Sequence, residues 1–423
     1  MIKLRAAVRF SKRRVSSKSV SLENFISTDN ILQNKAGIKL ATNLPPQGSA
    51  MPAYEPDNIL VANIRPYLKK IWFADREGGC SADVLVFDVN KGFFPKYIYY
   101  SIFQDDFFDH VMRGSKGTKM PRGDKNQILD YVIPDLDLST QQKIAAVLSA
   151  LDSKIELNNR INAELEAMAK TLYDYWFVQF DFPYSPPSEG WPQDGVGIGK
   201  PYKSSGGKMV WNEELKREIP EGWEVKELAE VATTIMRGIS PRYREEGGIC
   251  VLNQKCIRDQ SINFEPSRRH DNELKDASSK LIEYGDVLVN STGFGTLGRV
   301  AIVKRLKERI TVVDSHITIV RSENVRKLFL GYSMLIRQSE IEGLAEGSTG
   351  QTELSRVHLG ELKMVIPPIE LQSVFEDFIN PQFKKMANNE EENEQLMELR
   401  DWLLPMLMNG QVSVGSSEES AGS

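Results

Sequence analysis

The sequence predicts an α+β protein. Two similar α/β units are separated by two long antiparallel helices that pair as a coiled coil, giving an internal repeat with pseudo-two-fold symmetry. Three observations predict this. Ile144, Leu148, Leu151, Ile155, Leu165, Met168, Leu172 and Trp176 recur at spacings built from three and four, in a stretch from Thr140 to Phe177 without Pro or Gly. That is a coiled-coil seam. A second stretch, Ile369 to Leu404, carries Leu371, Phe375, Phe378, Met386, Leu396, Leu399 and Leu403 in the same manner. Both follow the same lead-in, Val132-Ile133-Pro134 before Gln141-Gln142 and Val365-Ile366-Pro367 before Gln372, and both end on a tryptophan, Trp176 and Trp402. A helix of this length spans roughly 55 Å and cannot bury its seam in one small domain, so each needs an equally long partner.

The repeat organises the chain as unit, helix, linker, unit, helix, tail. Residues 1–134 are the first unit, with strand-like runs at Ile59–Val61, Lys70–Phe73 and Val84–Phe87 and an amphipathic helix from Lys96 to Met112. A glycine-bearing turn at Gly114–Thr118 and a short helix near Lys125–Leu129 follow. Residues 135–180 form the central long helix. Residues 181–218, rich in Pro and Gly, read as an extended, loosely folded linker. Residues 219–366 repeat the first plan, with strand-like Asp286–Val289, Val300–Val303 and His316–Val320, a helix from Leu328 to Leu344 and a glycine turn at Gly347–Thr352. Residues 367–409 form the distal long helix, where Pro381 should kink or break the helix and Pro405 should mark its end. Residues 410–423 read as a disordered acidic tail.

Composition narrows the class. At 423 residues the chain can bury two or three cores, and 41% hydrophobic with 26% charged residues is ordinary for a soluble protein. The net charge of −5 hides a partition. Glu390–Glu392, Glu394, Glu398, Glu418 and Glu419 crowd the end, whereas Lys3, Arg5, Arg9, Lys12, Arg13, Arg14 and Lys18 crowd the start. A basic footprint can therefore exist on an acidic chain. Cys80, Cys250 and Cys256 have neither disulfide-framework nor zinc spacing, which fits a reducing compartment. No apolar run has the length of a membrane span, and the expected location is the cytoplasm.

Gly293-Phe-Gly295-Thr-Leu-Gly298 matches a dinucleotide fingerprint by letter. That fingerprint requires a helix next, and strand-like Arg299–Val303 follows instead, so a turn between two strands is expected. The Gly114 and Gly347 turns place backbone N–H groups and hydroxyls together, as a phosphate nest would; a plain inter-helix connection is the other reading. Arg65-Pro66-Tyr67-Leu68-Lys69-Lys70 gathers cations and an aromatic in one loop, a DNA-contacting loop or an ordinary solvated one. Arg237, Arg242, Arg244, Lys255 and Arg258 are comparable in the second unit, and Arg268, Arg269 and His270 less so. Asn158, Asn159 and Asn162 interrupt the first seam, and a seam asparagine, Asn158 first, can fix register and partner; a place on the exposed flank is the other reading. There is no GxxxxGK[ST], HExxH or GxSxG pattern, and four histidines leave little acid–base capacity of the common kind.

At these residues the chain resembles the specificity subunits of type I restriction–modification enzymes. The likeness is carried by Ile133-Pro134 leading to Gln141-Gln142-Lys143-Ile144, by Leu151-Asp152-Ser153-Lys154-Ile155-Glu156, and by Leu172-Tyr173-Asp174-Tyr175-Trp176-Phe177. Further pieces are Pro201–Met209, Glu218-Ile219-Pro220-Glu221-Gly222-Trp223 and Gly285–Val289. The first unit lacks the Ile-Pro-x-Gly-Trp opening of the second. The resemblance implies two target recognition domains that each read half of a bipartite, asymmetric site in double-stranded DNA, held apart by the helices. It implies two methyltransferase subunits and motor/nuclease subunits as partners, with S-adenosylmethionine, ATP and Mg on those partners and no cofactor, metal or catalytic residue on this chain. The candidate DNA contacts are then Arg65, Tyr67, Lys69, Lys70, Ser115, Lys116, Thr118, Lys119 and Arg122 in the first unit. In the second they are Arg237, Arg242, Arg244, Lys255, Asn290, Thr292, Arg299, Ser348, Thr349 and Gln351. Helix pairing and methyltransferase docking fall to Ile144, Leu148, Leu151, Ile155, Asn158, Leu165, Leu172, Trp176, Phe375, Phe378, Leu396 and Leu403. The rival reading is a coiled-coil interaction scaffold without DNA readout.

Overall fold

The computed structural model describes residues 1–46, 48–184, 199–293, 295–344 and 353–414. The chain forms two compact units, Met1–Leu157 with the chain from Glu392 onward, and Asn158–Glu391. Each long helix, Leu138–Tyr173 and Ile369–Met408, therefore gives one half to each unit.

In the first unit the strand order Val8–Phe10, Val84–Val89, Ile59–Ala62, Ile71–Phe73 makes one antiparallel sheet. A second sheet runs Arg14–Ser16, Ala50–Tyr54, Gly78–Cys80, Phe25–Ile26, its last pair parallel. The other unit repeats both. Thr234–Arg237, Ile317–Arg321, Val287–Asn290 and Val300–Ile302 form its antiparallel sheet, and Tyr243–Arg244, Arg268–His270, Ile249–Leu252 and Thr311–Val313 its second. The central strands are apolar on both faces because both faces are covered. Ile59, Val61, Leu85 and Phe87 face the helices, while Leu60, Val84 and Val86 face the other way. Val287, Val289, Val300 and Ile302 alternate likewise with Leu288 and Ala301.

The repeated lead-in has a structural reason. Ile2–Lys3 pairs with Val132–Ile133, and Glu224–Glu227 pairs with Lys363–Ile366, so each unit is clasped shut just before its long helix. The first unit thus forms the clasp without the Ile-Pro-x-Gly-Trp opening. One turn later comes a buried glutamine. Gln141 accepts from the Phe94 N–H at 2.8 Å and donates to the Leu136 carbonyl at 2.8 Å. Gln372 does the same with the Arg326 N–H at 3.0 Å and the Pro367 carbonyl at 2.8 Å. Phe94 and Arg326 immediately precede the helices Pro95–Phe103 and Lys327–Ile336, so each glutamine satisfies an N–H that a helix start leaves unpaired.

Within each unit the two helix halves run antiparallel. In the first, Ile144, Ala145 and Leu148 share a core with Leu404, Leu407 and Met408, and the Arg400 guanidinium donates to Asp152 at 2.8 Å. In the second, Ala169, Tyr173 and Trp176 share a core with Leu371, Phe375, Ile379 and Phe383, and Asn389 donates to Asn162 at 2.7 Å. Leu165, Leu172 and Leu403 are half-buried against these cores. Leu151, Ile155 and Leu396 are half-buried, and Asn158 is buried.

Several expectations need correction. Phe378, Met168, Leu399 and Trp402 lie exposed. The buried stripe of the distal helix runs Leu371, Phe375, Ile379, Phe383, Met386 and later Arg400, Leu404, Leu407. A straight helix drifts against a seven-residue repeat, so neighbours of the expected positions take the seam. The distal helix also passes through Pro381 and Pro405 and ends only at Met408. Both prolines and the residues whose carbonyls they leave unpaired, Asp377 and Asp401, are exposed to water, while buried neighbours hold the turns on either side. Gly410, with φ of +71°, ends the helix. Val414 packs on the first unit's core, so the start of the expected tail is folded. The expected loose linker is folded where it is described. Met209–Asn212 pairs with Arg217–Pro220, and Phe182 stacks on Tyr202 at 4.7 Å and on Trp223 at 5.2 Å. Pro186 and Pro187 lie outside the described residues.

Candidate nucleic-acid interface

In the first unit the turn after Ile59–Ala62 doubles back through Pro66–Leu68, with Arg65 and Lys69 both left-handed at φ of +51° and +50°. The Arg65 N–H donates to the Pro121 carbonyl at 2.8 Å, and Ile64 bridges to Arg122. Lys116 and Arg122 exchange backbone hydrogen bonds at 3.0 and 2.9 Å. The Arg65 turn and the Gly114 turn, about fifty residues apart in sequence, thereby form one cluster. Arg65, Tyr67, Lys116, Thr118, Lys119 and Arg122 are exposed in it. Arg122 pairs with Asp83 at 2.9 Å, and the Ser115 hydroxyl donates to the Met112 carbonyl at 2.8 Å. Lys69 pairs with Asp105 at 2.7 Å, which Lys35 also reaches at 3.0 Å. Burial pushes Asp105 up, but hydrogen bonds from Lys69 and Lys35 outweigh it and hold the carboxyl below its ordinary value. Lys70 donates to the Thr28 carbonyl, and burial lowers its pKa against the pull of Asp29. Lys69 and Lys70 therefore brace the loop.

The second unit places a cluster at the equivalent point. The strand Val287–Asn290 leads into the Gly293–Gly298 turn, Val300–Ile302 returns antiparallel, and Thr292 bridges to Glu353 as Ile64 does to Arg122. The turn joins two strands and is no dinucleotide fingerprint. Gly293 has φ of +104°, and a Cβ there would lie 2.3 Å from the Gln254 side-chain oxygen, so only glycine fits. Thr292 Oγ1 lies 2.6 Å from His316 Nδ1, and the His316 N–H donates to Asp314 at 2.9 Å. Asp314 is buried, which raises its carboxyl above the ordinary value. Ser348, Thr349 and Gln351 lie outside the described residues.

Three residues expected to contact DNA have partners within the protein. Arg237 pairs with Glu353 at 2.7 Å and donates to the Leu354 carbonyl at 2.8 Å, tying its strand to that segment. Asn290 is fully buried and donates to the Gln254 carbonyl at 2.9 Å. Arg299 donates to the Gly295 carbonyl at 2.8 Å and holds the turn shut. Buried His270 accepts from the Arg242 N–H at 2.9 Å. Arg242, Arg244 and Lys255 are exposed. Sequence reasoning passed over Tyr243, exposed beside Arg242 and Arg244; a lone aromatic between two cations was the available signal.

The family described as type I restriction modification DNA specificity domain matches residues 59–167 and 220–398, one match in each repeat. The chain is 26% identical over 337 residues to the type I restriction enzyme MjaIX specificity subunit of Methanocaldococcus jannaschii, covering 76% of this chain and 70% of that one. It is 25% identical over 439 residues to the HindI specificity subunit of Haemophilus influenzae, covering 92% and 94%. The crystal structure of a type I restriction–modification S subunit from M. genitalium superposes with a TM-score of 0.54 at 14% identity, over 96% of this chain and 95% of that one. That last likeness concerns the fold. None of these comparisons supports a scaffold without DNA readout.

Proposed function

This chain belongs to the type I restriction modification DNA specificity family, and on that premise we propose that its two clusters read the two halves of one bipartite, asymmetric DNA site. The observation that carries the proposal is the repetition of the site itself. In each unit a strand-to-strand turn is bridged to a later segment, at Ile64–Arg122 in one and Thr292–Glu353 in the other. The frames match and the residues on them do not: exposed Arg65, Tyr67, Lys116 and Lys119 stand against half-buried Thr292 and the glycines of the second turn. Like frames with unlike side chains suit two unlike half-sites. Exposed cations position the duplex through phosphates, and the Arg, Thr and Tyr side chains among them supply base-edge contacts.

The long helices set the spacer and carry docking faces for two methyltransferase subunits, to which motor/nuclease subunits add. Exposed Phe378, Trp402, Leu399 and Met168 are apolar surface on those helices suited to docking. Adenine methylation with S-adenosylmethionine and ATP-driven cleavage with Mg belong to the partners, so this chain binds and positions. Among the described residues no helix is long and apolar enough to cross a membrane, and we place the complex in the cytoplasm with its DNA. The test is to map methylated adenines in DNA modified by the assembled complex, then exchange residues 219–366 for another recognition unit. One half-site should change while the other half and the spacer stay. A change in both halves, or in neither, would overturn the assignment.

A further inference from the structure

The second sheet of the second unit carries a charged edge that the cluster above does not use. Its edge strand Tyr243–Arg244 pairs with Arg268–His270, setting Tyr243 opposite His270 and Arg244 opposite Arg269. Arg268 is exposed, and its guanidinium carbon lies 3.4 Å from the centroid of the Tyr243 ring. At that distance the planar group lies on the aromatic face, which fixes its orientation and leaves the N–H donors at its rim. Arg269 is neutralised by Glu308 at 2.7 Å, and Arg244 has Asp271 at 3.6 Å. Among the described residues, Arg242 and Arg268 have no such carboxylate.

This edge adjoins the turn cluster. Ile239, shortly before Arg242 in the chain, bridges to Asp314, and Asp314 directly follows the sheet's Thr311–Val313 strand. Asp314 holds the His316 N–H, and His316 holds Thr292 at the mouth of the glycine turn. The unpaired cations thus stand on the surface that leads into the proposed reading site. Among the described residues the corresponding edge strand of the first unit, Arg14–Ser16, pairs with Ala50–Tyr54 and sets Val15 opposite Met51, with no arginine of that strand on an aromatic ring.

We propose that Arg268, held flat on Tyr243, is a specificity-determining residue that reads a guanine in the major groove of one half-site. The inference rests on the DNA-reading function proposed above. A guanidinium meets the O6 and N7 acceptors of guanine with two parallel donors, which a lysine cannot do. Tyr243 is the positioning residue: its ring restricts Arg268 before DNA arrives and reduces the ordering required on binding. Arg242 and Arg244 supply phosphate contacts on either side.

The experiment uses the complex assembled with its methyltransferase subunits, a duplex library randomised through both half-sites, and sequencing of the methylated products. Wild type gives the site, and absence of any sequence preference there would sink the DNA-reading function itself. Given a site, Arg268→Ala and Arg268→Lys should each relax one guanine position in one half-site by roughly tenfold to a hundredfold, the range for losing a bidentate base contact. The other half-site should be unaffected. Tyr243→Leu should relax the same position, and Tyr243→Phe should keep it. Thermal melting of each variant complex separates misfolding from altered reading. If Arg268→Lys keeps full discrimination, or Arg268→Ala weakens all sequences equally, Arg268 is a phosphate contact or a bystander and the inference falls.

Discussion

An exposed cation and a bracing cation differ in what their removal does. Arg65, Lys116 and Lys119 stand in solvent, whereas Lys70 gives its ammonium to the Thr28 carbonyl and is partly desolvated. Each phosphate neutralised contributes roughly 0.9 to the slope of log affinity against log salt. Replacing Arg65, Lys116 and Lys119 by alanine should therefore flatten that slope by up to about three, with little change in melting temperature. Lys70→Ala should do the reverse, lowering thermal stability and leaving the slope within error. Titrations at four or more salt concentrations check both, and a flattened slope for Lys70→Ala alone would exchange the two roles. Residue type could not make this distinction in advance. Arg65 and Lys70 read alike as letters in one basic loop, and only the fold shows which one has a carbonyl waiting for it. Arg237 and Asn290 likewise read as free polar letters, and only the fold shows Glu353 beside the one and burial around the other.

At the scale of elements, the period of the pattern made the long helices, their pairing and the order of the repeat legible. The lead-in glutamines were visible as a motif, although their work of bridging the helices Pro95–Phe103 and Lys327–Ile336 to the long helices was not. Interruptions read poorly. A proline costs a helix its bond and crowds the preceding turn, by about 3 kcal/mol in an isolated interior. That local rule lost here to packing, because Phe375, Ile379 and Phe383 hold both sides of Pro381 in one core. The cost should persist even though the helix does. Pro381→Ala and Pro405→Ala should each stabilise their unit by about 1–3 kcal/mol, since alanine restores the bond on an exposed face. Urea denaturation followed by helical circular dichroism measures this, and a loss of stability would mean that the prolines shape a helix path that pairing needs.

For the molecule as a whole, the question is what sets the spacer between the half-sites. Each long helix serves both units, so a change midway along both helices alters what joins them, and it removes Glu390, which pairs with Arg305 at 3.3 Å. Asp152 pairs with Arg400 and Asn162 with Asn389. Removing residues 155–161 together with 390–396 keeps both pairings and takes one heptad from each helix. Seven residues shorten a helix by roughly 10 Å and turn it by only about 20° from its former face. The same 10 Å of duplex is about three base pairs, at roughly 3.4 Å each. Three base pairs, however, rotate the grooves by about a quarter of a turn or more, given about 10.5 per turn. Length and twist therefore cannot both be matched on relaxed DNA. The doubly shortened protein should lose its native spacing, prefer one about three base pairs shorter, and bind that site more weakly than wild type binds its own. Its two half-site sequences should stay as they were. Methylation of a duplex series in which only the spacer varies checks this. An unchanged preferred spacer would show that something other than the helices measures the distance.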